Sequence, residues 1–112
     1  MRMNWSYVAA FFEGEGSICC YFNYQHKLRV DIHQKDKRIL NKIKKFINFK
    51  AKLQLHKQSQ VWRLSFGCAK ARWFANKILP YCNHPGKIKQ IKTALRLDKK
   101  FVKPRKIKRN KN

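Results

Sequence analysis

The sequence predicts an α+β domain of the order α-ββα-ββα-α, with a four-stranded antiparallel sheet, and three observations carry that expectation. An almost wholly apolar segment opens the chain. Two stretches of period-two alternation follow, each leading into a stretch of helical period. The same strand–strand–helix module therefore occurs twice in 112 residues, a length that suits one domain with a modest core.

Residues 5–13 read WSYVAAFFE, with Asn4 placed as an N-cap. A helix apolar around most of its circumference needs cover on more than one side. Ser6, Ala10 and Gly14 fall at i, i+4 and i+8, a small-residue stripe that admits another helix backbone closely. Val8, Phe11 and Phe12 point toward the chain's own core. Packing within the chain would also explain the stripe. The remaining chain is short for covering both faces, so a second copy of this helix is the attractive partner.

Alternation then sets Ile18, Cys20 and Phe22 on one strand face and Ser17, Cys19, Tyr21 and Asn23 on the other. After a turn near Gln25 and His26, Leu28, Val30 and Ile32 point inward, opposed by Arg29, Asp31 and His33. Ile39, Leu40, Ile43, Phe46 and Ile47 give an amphipathic helix from about Asp36 to Phe49, with lysines on its wet face. The module repeats. Ala51, Leu53 and Leu55 alternate with Lys52, Gln54 and His56; beyond a turn at 58–60, Trp62, Leu64 and Phe66 alternate with Val61, Arg63 and Ser65. Ala71, Phe74, Ala75, Ile78 and Leu79 form the next helical stripe, stopped by Pro80. Pro85 and Gly86 break the chain, and Ile88, Ile91 and Leu95 mark a last helix. Residues 1–98 are thus expected to form the domain. Residues 99–112, eight of them Lys or Arg, read as a frayed basic tail.

The chain holds 28 Lys+Arg against 5 Asp+Glu, a formal charge of +23. Such an excess calls for a polyanion, because each phosphate neutralised releases counterions. Basic residues spread along the chain argue against a membrane-surface helix, and no apolar run is long enough to span a bilayer. The N-terminus meets an acid after a short apolar stretch and offers no small-residue cleavage site, so an intracellular protein is expected. Cys19 and Cys20 are adjacent, Cys68 and Cys82 distant, and Cys82 with His84 lacks a second pair at zinc spacing. These cysteines read as reduced, small apolar residues.

The strand face opposite the core would carry Tyr21, Asn23, Arg29, His33, Lys52, Gln54, His56 and Arg63. Any exposed sheet face is polar. The informative feature is the scarcity of acid, with Asp31 alone there, which fits a sheet laid in the major groove of double-stranded DNA. Two of the five acids, Glu13 and Glu15, instead flank Gly14 where the first helix gives way to the first strand. Negative charge there would repel a phosphodiester, whereas a carboxylate holding Mg²⁺ would polarise it and lower the pKa of an attacking water. Spacing alone leaves open an ordinary ion pair with one of the many lysines.

Residues 8–16, VAAFFEGEG, followed by Ser17 and Ile18, resemble the signature motif of the LAGLIDADG homing endonucleases, and the order of elements over residues 5–98 resembles theirs. The segment QKDKRIL at 34–40 and the module repeat strengthen the likeness. One motif copy implies a homodimer whose motif helices pack at the two-fold axis, with Ser6, Ala10, Glu13 and Gly14 at the interface. The second acid of the motif, here Glu15, is the metal ligand that the resemblance implies, with Mg²⁺ as cofactor. Gln34 and Arg38 match positions that order water and contact the scissile phosphate. Lys87 resembles the family's active-site lysine, with Lys89 as the rival position. Ser17, Cys19, Tyr21, Asn23, Arg29, Asp31, His33, Lys52, Gln54, His56 and Arg63 are then the candidate DNA contacts. This sequence departs from the family in Ala10, where glycine is usual, and in Glu13 and Glu15, where aspartate is usual.

The implied function is sequence-specific, metal-dependent cleavage of both DNA strands at a long pseudo-palindromic site. The alternative on the same scaffold is a non-cleaving intron-RNA maturase or DNA-binding regulator, and a basic ribosome-associated protein is the third reading. Abundant Lys, Asn, Ile and Phe suit an AT-rich gene. An organelle-encoded product (chloroplast or mitochondrion) and a bacterial or phage cytoplasmic protein fit equally.

Overall fold

The computed structural model describes residues 2–20 and 27–110, the last ten as backbone. The expected order is borne out: α1 (Trp5–Glu15), β1 (Gly16–Cys20), β2 (Leu28–Gln34), α2 (Lys37–Ile47), β3 (Lys52–His56), β4 (Val61–Gly67), α3 (Cys68–Ile78) and α4 (Pro85–Asn110), with a 3₁₀ turn at Leu79–Tyr81. Tyr21, Phe22, Asn23, Gln25 and His26, including the expected turn, lie outside the described residues.

Local chemistry sets the boundaries. The Asn4 side chain accepts the Tyr7 N–H at 2.8 Å and starts α1. Asp36 does the same for α2 through the Arg38 N–H at 2.9 Å. Asn48 ends α2 in the left-handed region, φ 57°, which asparagine tolerates better than most residues. Pro80 halts α3 as expected, and the chain passes into the 3₁₀ turn instead of stopping outright. Pro85 begins α4, where its missing N–H would have had no helical partner anyway.

The strands run in the order β1-β2-β4-β3, all antiparallel, so the two hairpins meet along β2 and β4. Ile18, Cys20, Leu28, Val30, Ile32, Leu64 and Phe66 are buried on the inner face, with Leu40, Ile43, Ile47, Ala71, Phe74, Ala75 and Ile78 from the helices above. Phe74 sits among Phe66, Phe12 and Trp5, edge-on at 5.1, 6.0 and 6.1 Å. The α1 residues Val8, Ala9 and Phe12 complete this core, while Phe11 is only half-buried.

Three details differ from the sequence reading. Ser65, expected on the wet face, is buried, because Asp31 and Lys52 flank it across the neighbouring strands. Leu55, expected inward, is 37% exposed near the end of edge strand β3. A frayed tail from Lys99 is replaced by helix as far as Asn110. Just before this stretch Asp98, a buried carboxylate, accepts the Arg72 Nε–H at 2.6 Å and pins α4 to α3.

Candidate nucleic-acid interface and acidic junction

The register of the sheet brings the predicted contacts together on one face. Ser17, Asp31, Ser65 and Lys52 form one row across all four strands. His33, Arg63 and Gln54 form a second, and Cys19 stands opposite Arg29. Arg63 donates to the Gln54 side-chain carbonyl at 3.3 Å. Asp31, the one acid on this face, is bound by Arg29 Nε at 3.1 Å, so its charge is locally cancelled. Two shallow hollows of about 630 and 540 Å³ run along the surface, the second reaching Lys27, a cation that alternation did not single out. His56 is turned into its own hairpin, where its Nδ1 lies 2.9 Å from Ser59 Oγ.

The two acids of α1 have parted roles. Glu13 Oε2 accepts backbone N–H groups from Asn83, at 2.7 Å, and from His84. His84 Nδ1 in turn accepts the Lys87 N–H at 3.2 Å, which caps the start of α4. Glu13 is therefore engaged inside its own chain, at the loop that launches α4. No local pattern announces this, since the partners lie 70 and 71 residues downstream. Beneath it, burial and the Glu13 charge push the Cys82 thiol up to about 11.

Glu15 closes α1 in the open, with no hydrogen bond or ion pair to its carboxylate among the described residues. Gly16 follows it in extended backbone, and a side chain there would overlap the Phe12 ring. The glycine is required by this close approach and not by a turn. Lys87 Nζ reaches the Gly16 carbonyl at 2.5 Å and lies 5.7 Å from the Phe12 ring centroid. Lys87, 71 residues downstream, is thus anchored to the residue that follows Glu15 at the α1–β1 junction. Lys89 faces a different hollow, between β1 and α4.

Gln34 and Arg38 stand at the far end of β2 and the start of α2. The Gln34 carbonyl oxygen is turned back onto the Lys35 N–H at 2.8 Å. Arg38 pairs with Asp36 through two bonds of 2.9 and 3.1 Å, and its side chain is 86% exposed. Those bonds hold the Asp36 carboxyl below the usual carboxylate range. On α1, Ser6, Ala10 and Gly14 are all exposed, with nothing within 4 Å of where a Gly14 β-carbon would stand.

Magnesium keeps several waters and binds through one or two carboxylates plus phosphate oxygens. Among the described residues no group of three His, Cys, Asp or Glu side chains could hold an ion unaided. Glu15 supplies one hard, accessible carboxylate, so the donor set fits an ion shared with a phosphate ligand and not a protein cage.

Fold and site define an α+β protein with a cationic antiparallel sheet and an acidic helix terminus at one end of it. No protein-family model matches the sequence, and no curated protein matches it either. Solved structures do match. The homing endonuclease I-CvuI, in complex with its target in 2 mM Ca, superposes with a TM-score of 0.73 at 20% identity over 86% of this chain and 66% of its own. The homing endonuclease I-TnaI gives 0.62 at 18% identity, covering 85% of this chain and 73% of its own. The LAGLIDADG meganuclease I-AabMI, bound to uncleaved DNA, gives 0.54 at 16%, covering 70% and 28%. The chain spans just under two thirds of I-CvuI. Its fold is that of the LAGLIDADG homing endonucleases, as the motif at 8–16 implies.

Proposed function

We propose that this protein is a single-motif LAGLIDADG endonuclease that acts as a homodimer and hydrolyses both strands of DNA at a pseudo-palindromic site. The observation that carries this is the junction where exposed Glu15 follows the open stripe of α1 and Lys87 is held to Gly16. Two copies of α1 joined through Ser6, Ala10 and Gly14 would bring two Glu15 carboxylates together, one per DNA strand, beneath a continuous cationic sheet. Two identical halves call for a site of matching symmetry.

In this reading Glu15 would hold a divalent ion, Mg²⁺, which when bound would supply charge neutralisation and a lowered water pKa. Lys87 places fixed positive charge beside the scissile phosphate, and Gln34 and Arg38 orient water and the phosphate after turning from their present partners. The sheet side chains Arg29, His33, Lys52, Gln54 and Arg63 read base edges, while backbone contacts set register. The basic residues of 99–112 would add flanking phosphate contacts. Selection of cleaved molecules from a randomised duplex library tests the reading. Double-strand breaks at one symmetric sequence in Mg²⁺, absent in Ca²⁺, are expected. Selective duplex binding with no cleavage in Mg²⁺ would instead favour the non-cleaving regulator.

A further inference from the structure

The helical layer carries a second cationic surface, on the side of the sheet away from its open face. We propose that it binds a single-stranded polynucleotide, with Trp73 as the stacking platform and the surrounding lysines as phosphate contacts. This is independent of whether the protein cleaves DNA.

The placement of acids comes first. Glu13 is taken by the 83–84 backbone, Asp31 by Arg29, Asp36 by Arg38 and Asp98 by Arg72; Glu15 ends α1. These are all five acids of the chain. Lys42, Lys44, Lys45 and Lys50 line a hollow of about 620 Å³ at the C-terminal end of α2. Asp36 caps the other end of that helix, about 9 Å from Lys42 and about 14 Å from Lys45 along the axis, and is already held by Arg38. No acid among the described residues lines the hollow itself, so an anion entering it meets cations from several positions at once.

An aromatic group stands at the edge of this patch. Phe49, also in the hollow's wall, meets Trp73 edge-on at 5.7 Å, and Trp5 meets it at 5.5 Å. Wedged between them, Trp73 is nonetheless 43% exposed. Lys77 lies 5.7 Å from its ring centroid, and Lys70 lies 5.8 Å from that of Phe49 while donating to the Lys50 carbonyl at 2.9 Å. Lysines alone would suit any polyanion. A fixed, accessible indole among them suits one whose bases are unpaired, since base–aromatic stacking is denied to a duplex.

This surface is distinct from both others. At 100° per residue, Trp5 lies about 140° around α1 from the centre of the Ser6–Ala10–Gly14 stripe, so Trp73, packed on Trp5, faces away from it. Leu40, Ile43 and Ile47 of α2 cover the inner sheet face, which turns Asn41 and Lys45 outward.

Fluorescence anisotropy with labelled short oligouridylate and oligothymidylate tests the proposal on the full chain. Wild type should bind either or both with strong salt dependence. Trp73→Leu should weaken binding about five- to a hundredfold, and Trp73→Phe, which keeps a π face, should retain most of it. Lys45→Glu with Lys77→Glu should weaken it comparably, whereas Lys52→Glu with Arg63→Glu on the sheet should change it by no more than about twofold. Should Trp73→Leu lose its fold by circular dichroism, the exposed Lys45–Lys77 double variant decides alone. Indifference to the helix-face changes, loss of binding in the sheet-face pair, or equal Trp73-dependent binding of a duplex with as many phosphates would overturn the proposal.

Discussion

The two ββα modules share a sequence pattern but not an environment. In the first, β1 is an edge strand with every inward residue buried, because α4 returns from the end of the chain to pack along it. In the second, β3 is the opposite edge, and most of it is exposed. The alternation that buries Ile18 and Cys20 leaves Leu55 more than a third exposed. Alternation therefore assigns a face, while the depth of burial depends on what the distant chain lays over it. The same difference separates the roles: the covered edge begins at the acidic junction, and the bare edge presents Lys52, Gln54 and His56 to solvent.

Four substitutions would sharpen that contrast. Arg72→Met should have the largest effect, about 3–5 kcal/mol by chemical denaturation, because it strands the buried Asp98 carboxylate between α3 and α4. The like change at exposed Arg38 should leave the unfolding midpoint unmoved. Ile18→Ala under the α4 cover should cost about 2–5 kcal/mol, and Leu55→Ala on the bare edge under about 1 kcal/mol, in the same assay.

Glu13→Ala removes the acceptor for two backbone N–H groups and should cost about 1–3 kcal/mol in thermal unfolding. Glu13→Gln keeps a carbonyl acceptor and should recover most of that loss. The smallest effect is chemical and leaves stability aside. Iodoacetamide at pH 8, read by mass spectrometry, should modify exposed Cys68 and spare Cys82, whose buried thiol is held at about 11.

Element order, strand faces and the acidic motif were legible in the sequence because each rests on local periodicity or capping: Asn4, Asp36 and the run from Ile39 to Ile47 declare themselves within a few residues. The attachment of α4 to α3 was hidden, since its anchor is Asp98 against Arg72, 26 positions away. Glu13 was legible as an acid out of place but not as a clamp, and the contact of Lys87, and not Lys89, with the Gly16 carbonyl showed only once α4 had been set beside β1. Gly16 is needed for room against Phe12, a contact that spacing cannot show.

The central claim is that Glu15 serves chemistry and not duplex binding. The most direct measurement compares wild type with Glu15→Gln on a selected duplex target, following binding by gel shift in Ca²⁺ and cleavage in Mg²⁺. Undiminished binding is expected, with cleavage reduced at least a thousandfold, about 4 kcal/mol of lost transition-state stabilisation. Cleavage by Glu15→Gln at the wild-type rate would contradict it.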